Sequence, residues 1–199
     1  KKEGYCTYNQ RTFKIIDLPG TYSLGAYSED ELIARDYILK GQPDVVINVV
    51  SATNLERNLY LTTQLLEMGI KVVVALNMFD EAKKQKIRFD LNTLASRLGV
   101  PVVPTVAAAG KGLPELLQTT INLIAQKNKP TLRLSYGEEI DGKIDALEKL
   151  IRAEDWGYPP RWLALKLVEG DPFILKLVQE TSPDLPVLQP LRTTFQDLQ

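Results

Sequence analysis

The sequence predicts an α/β domain, an open sheet with helices on both faces, followed by a small all-α domain. Three observations carry this expectation. Apolar strand patterns alternate with capped helical patterns over short connections, as in open α/β sheets. From Gly137 onward only helical periodicity remains, and the change of pattern at Lys129-Pro130 divides the chain into domains 1–128 and 129–199. The 199 residues are 44% hydrophobic, enough to bury the core of one domain plus an appendage.

Residues 5–8 and 12–17, joined by a polar Asn9-Gln10 turn, form a hairpin, so the chain opens antiparallel. A Ser/Gly/Tyr loop over 21–27 is expected to move. Ser28 with Glu31 three residues on is a capping box that starts a helix running to about Lys40. Residues 44–50 are apolar except for Asn48, the pattern of a strand buried on both faces. Asn54 is expected to cap a helix through Met68 that Gly69 ends, and 71–76 to form a second buried strand. Asp90 caps a helix stopped by Gly99, 101–106 is a third strand, and a helix over 113–126 closes the unit. In the second domain Pro159-Pro160 opens a helix whose apolar stripe is Trp162, Leu163, Leu165 and Leu167, with Gly170 as its stop. Trp156 and Trp162 read as packing residues.

The charge balance, 24 basic against 25 acidic residues, argues against a nucleic-acid partner or a membrane-surface partner held by electrostatics. With no histidine and a lone cysteine, Cys6, metal chemistry is restricted to oxygen ligands and an internal disulfide is excluded. No run approaches the roughly 18 apolar residues of a membrane span, and a reducing cytosolic setting is expected.

The loops after the strands carry the chemistry. In Asp17-Leu18-Pro19-Gly20 a strand delivers a carboxylate to its C-terminal edge, where an aspartate can hold Mg2+ through water and Gly20 lets a backbone N–H approach a phosphate. Alone, the same letters make an ordinary turn. Asn77-Met78-Phe79-Asp80 follows the next-but-one strand. An aspartate there can accept the N1–H and N2 amino hydrogens of guanine, and adenine offers neither. Alone, it is also a helix cap. The small residues Val106-Ala107-Ala108, before Gly110-Lys111-Gly112, would let backbone amides touch a base, though a Gly-rich turn needs no ligand. Motifs in this order at the C-terminal edge of a parallel sheet favour nucleotide binding.

Taken with residues 34–39 (Ala-Arg-Asp-Tyr-Ile-Leu), 54–61 (Asn-Leu-Glu-Arg-Asn-Leu-Tyr-Leu) and 162–171, these segments resemble the cytoplasmic GTPase domain and helical, GDP-stabilising domain of the bacterial ferrous-iron transporter B (FeoB) family. The resemblance implies a Ras-like P-loop GTPase sheet and a GTP hydrolase using GTP or GDP with Mg2+, K+ being a further cofactor candidate. The switch loops of such a protein signal to a transmembrane Fe2+ channel domain of the same polypeptide, at the cytoplasmic face of the bacterial inner membrane. Oligomers are compatible with this. By motif match Asp17 is the Mg2+-side aspartate, Leu18 and Pro19 lead to Gly20 as γ-phosphate donor, and Asn77, Met78, Phe79 and Asp80 read guanine. Val106, Ala107 and Ala108 then contribute backbone contacts only, since many such loops have Ser-Ala-Lys there.

No Gly-x-x-x-x-Gly-Lys-[Ser/Thr] occurs in the sequence, so the first strand, the P-loop and the first switch loop are expected ahead of Lys1, and the helical domain is expected to continue past residue 199. No catalytic residue is assignable within the 199. In Ras-type sheets the missing strand separates the strand ending at Asp17 from 44–50, so those two are expected not to pair. Two other readings stand beside this one: a non-catalytic nucleotide-binding or interaction module, and a ribosome-assembly or tRNA-modification GTPase.

Overall fold

In the computed structural model the described residues are 2–25, 28–126, 133–152 and 156–181. They form two compact units, 2–24 with 28–126, and Gly25 with 133–152 and 156–181. The expected boundary at 128/129, Ala26 and Tyr27 of the loop expected to move, and the Pro183, Pro186 and Pro190 tail lie outside the described residues.

The first unit opens with the hairpin β1 (Lys2–Tyr8) and β2 (Arg11–Asp17), in register Lys2 to Asp17. Asn9 and Gln10 both take positive φ, 48° and 61°, the two-residue turn whose twist matches a hairpin. Next comes α1 (Glu29–Gly41), where the Ser28 hydroxyl accepts from Glu31 N at 3.2 Å. A second, parallel sheet holds β3 (Val46–Ser51), β4 (Val72–Asn77) and β5 (Val102–Pro104) in that spatial order. Between them run α2 (Leu55–Glu67), α3 (Phe79–Lys84) and α4 (Leu91–Leu98), and α5 (Leu113–Ala125) follows. Among the described residues β2 and β3 share no ladder and belong to separate sheets, as the sequence led us to expect.

Val72 to Leu76 of β4 are all buried, each contributing about 1.5–3 kcal/mol for the larger side chains. Val73 and Ala75 face Leu116 of α5 and Val103 of β5. On the opposite face Asn48 of β3, paired in register with Val74, donates to Thr62 Oγ1 of α2 at 2.8 Å. That bond lets a polar side chain sit 94% out of solvent without loss.

The expectation that β3 is buried on both faces is wrong. Asn48 and Val50 are covered, but Ile47 and Val49 are 37% and 61% exposed. They lie on the α5 side, where α5 packs against β4 and leaves the edge strand uncovered. Two smaller corrections follow from local geometry. Asn54 precedes α2 without a side-chain cap bond, its backbone at φ −143°, ψ 53°; its carbonyl accepts instead from Asn58 Nδ2. The third strand is shorter than 101–106, because past Pro104 the chain bends and Val106 pairs only with Lys111.

The second unit contains α6 (Glu138–Ile151), α7 (Pro160–Val168) and α8 (Pro172–Thr181). Instead of a stripe, all of Trp162 to Leu167 is buried, so α7 is the unit's central helix. Lys166 is 2% exposed and reaches Glu169 at 2.6 Å, which keeps its ammonium paired. Asp171 caps α8 by accepting from Phe173 N and Ile174 N. Trp162 is fully buried and stacks on Tyr158 at 5.8 Å; Trp156 donates to Ile151 O at 3.0 Å. No helix among the described residues is long and apolar enough to cross a membrane.

Candidate functional site

The parallel sheet delivers Ser51, Asn77 and Pro104 to one edge, and the chain leaves each strand there in a loop. The loops after β4 and β5 are joined by a dense set of bonds. Asn77 Oδ1 accepts from Ala107 N at 3.0 Å and from Thr105 Oγ1 at 3.3 Å, so one amide oxygen holds both loops. Phe79 N donates to Thr105 O at 3.2 Å, Thr105 N to Leu76 O at 2.9 Å, and Ala52 N to Asn77 O at 2.8 Å. Met78 turns the corner in the left-handed region at φ 58° and receives a contact from Ser51 Oγ on its sulfur at 3.7 Å.

That turn sets Asp80, half-buried, in the first turn of α3, where the helix N-terminus favours a carboxylate. The Phe79 ring rests on Phe89 at 5.8 Å with Lys83 Nζ 5.0 Å from its centre. Glu81 bonds Lys84 at 2.7 Å and holds that ammonium above its ordinary value. On the far side Val106 and Lys111 exchange backbone bonds at 3.0 and 3.2 Å. Gly112 is obligatory: at φ 79°, a Cβ there would lie 2.3 Å from Pro104 O. Ala107 and Ala108 remain exposed at the rim.

Asp17 ends β2, exposed, and Leu18 and Pro19 lead to an exposed Gly20. A Cβ at Gly20 would meet no protein atom within 4 Å, and its φ is not left-handed. The protein's own packing therefore does not demand a glycine. Thr21 Oγ1 donates to Ser23 O at 2.7 Å, and the Ser23 hydroxyl bonds Glu31 of α1. Leu24, fully buried, donates its N–H to Gln64 Oε1 of α2 at 2.6 Å.

Thus the structure joins the 77–80 and 106–108 segments directly and sets 17–20 at the end of the hairpin in the same unit. Sequence reasoning missed Thr105, Ser51 and Gln64, which hold these loops from elsewhere in the chain. Only the hydroxyls flanking the loops hinted at the first two. Nothing local marked Gln64, 40 residues from its partner.

A parallel α/β sheet whose loops gather at its C-terminal edge, followed by a helical unit, is of the open α/β class that binds ligands at that edge. Residues 1–120 match the family model described as ferrous iron transport protein B, and residues 136–198 match the one described as the FeoB cytosolic helical domain. The chain belongs to the ferrous iron transport protein B family. It is 46% identical over 193 residues to the Fe(2+) transport protein A/Fe(2+) transporter FeoB fusion protein of Porphyromonas gingivalis, covering 94% of this chain and 23% of that protein. The cytosolic domain of the T. maritima FeoB iron transporter in apo form superposes with a TM-score of 0.85 at 42% identity, over 96% of this chain and 77% of that one. Its GMPPNP form gives 0.85 at 40% identity, over 99% and 80%. The chain thus spans about a quarter of the length of the curated relatives it matches.

Proposed function

We propose that this chain is the GTP-binding and GTP-hydrolysing cytoplasmic region of a bacterial Fe2+ membrane transporter, regulating iron uptake through nucleotide-dependent loops. The GMPPNP form of the T. maritima relative supports a guanine nucleotide as ligand. The observation that carries the reading is the Asn77 amide oxygen on Ala107 N, which fixes the two loops that would grip a base against each other. In this reading Asp80 accepts the N1–H and N2 amino hydrogens of guanine. Met78 and Phe79 shape the loop, and the backbone of Val106, Ala107 and Ala108 closes over the base.

At the other end, Gly20 N–H meets the γ-phosphate, a contact that explains a glycine the protein's packing does not need. Leu18 and Pro19 set that turn. Asp17 fits a place in the outer shell of Mg2+: it is exposed, and no described cation is bonded to it. Nucleotide oxygens and water would complete the shell, and the ion's charge would offset that of the phosphates. K+ is a further cofactor candidate of this reading. The residues through 128 form the nucleotide-binding domain and 129–199 the regulatory one, with the transmembrane Fe2+ channel domain of the same polypeptide as partner.

The test is binding of GDP and ADP to the full-length protein and to Asp80→Ala. GDP is expected to bind far better, and the substitution to erase the difference, at about 1.5–3 kcal/mol per charged hydrogen bond lost. Equal affinity of the unaltered protein for both nucleotides would refute the assignment.

A further inference from the structure

The loop that begins at Gly20 is tied down at its far end by α2. Gln64, 6% exposed, accepts the Leu24 N–H at 2.6 Å, and Leu24 itself is fully buried. Two helical turns earlier on the same face, the guanidinium of Arg57 lies 3.9 Å from the centre of the Tyr22 ring. The helix is a firm base for both contacts, because Thr62, fully buried beside Gln64, is bonded to Asn48 in the sheet. A glutamine buried at this position is otherwise costly, since its oxygen must leave water. The Leu24 amide is the partner that offsets this cost.

Resting on the nucleotide reading above, we infer that Gln64 is a positioning residue for GTP hydrolysis, assisted by Arg57. It fixes the Leu24 end of a segment only four residues beyond Gly20. Any γ-phosphate contact at Gly20 is then made by a short strap held at its distal end. Neither side chain belongs to the 17–20, 77–80 or 106–108 segments assigned to the nucleotide, so the effect should fall on turnover and spare binding.

The experiment measures GTP turnover and GDP affinity on the full-length protein and on Gln64→Leu, Gln64→Glu and Arg57→Ala. Gln64→Leu keeps the bulk but has no acceptor; its kcat should fall about tenfold with KM and GDP affinity within about twofold. Gln64→Glu restores an accepting oxygen and should recover most of that loss. Arg57 is exposed, so Arg57→Ala decides the matter if Gln64→Leu fails to fold; its kcat should fall about threefold at unchanged GDP affinity. Unchanged or raised kcat in well-folded variants, or no recovery with glutamate, overturns the role of Gln64. Absence of turnover and of guanine preference in the unaltered protein overturns the nucleotide reading together with it.

Discussion

The two ends of the candidate site are built in opposite ways. At the 77–80 and 105–112 end, backbone and side-chain bonds run from strand to loop and from loop to loop, and a single oxygen of Asn77 serves two donors. At the 17–20 end Asp17 and Gly20 are exposed, a Cβ at Gly20 would meet open space, and the attachments lie downstream, Tyr22 on Arg57, Ser23 on Glu31 and Leu24 on Gln64. The first arrangement is cross-bonded before any ligand arrives, which suits the base selection proposed for it. The second leaves Gly20 itself unpacked ahead of its downstream anchors, which suits the phosphate contact proposed for it.

Glycine substitutions give the largest expected separation of the two ends. Gly112→Ala forces a Cβ against Pro104 O in a left-handed backbone. It should lower unfolding free energy by about 2–4 kcal/mol in denaturant titrations. Gly20→Ala should change stability by no more than about 0.5 kcal/mol, yet weaken GTP binding relative to GDP. Comparable destabilisation by both would erase the contrast.

Asn77→Ala comes next. It leaves the Ala107 N–H and the Thr105 hydroxyl without their acceptor, at about 1–3 kcal/mol. GDP affinity, read by calorimetry, should fall about tenfold to a hundredfold, and the Ala107 amide should exchange its hydrogen faster.

The smallest expected effect sharpens the comparison from the other side. Thr21 follows the Gly20 proposed to meet the γ-phosphate, but its hydroxyl is spent on Ser23 O. Thr21→Ala should leave kcat within about twofold, and a large fall at intact GTP affinity would show that Thr21 does orient water.

Much of the scaffold was legible because local chemistry decides it. Ser28 and Asp90 cap helices through their own side chains, Gly99 takes the left-handed stop, and β4 is as buried as its run of valines implied. The edge position of the 77–80 motif followed from strand-to-helix alternation. Where the reading failed, distant neighbours made the difference. An apolar run has the same letters whether one face or both are covered, so Ile47 and Val49 could not be assigned without knowing how far α5 reaches. Lys166 puts a charge inside α7, and Glu169 one turn on allows it to be buried, a pairing outside the stripe read from the sequence. The bond between Leu24 and Gln64 has no periodicity to announce it at all.

The half-covered edge strand also bears on where a further strand can join the sheet of these 199 residues. Among the described residues β3 pairs only with β4, and its other edge offers a row of amides and carbonyls beside exposed Ile47 and Val49. From Val45 to Asn54 there is no charged side chain, no proline and no glycine to discourage a second strand from adding on. The edge strand of the parallel sheet is therefore a place where an added strand can pair. Colloidal stability of these 199 residues depends on how thoroughly that edge is shielded.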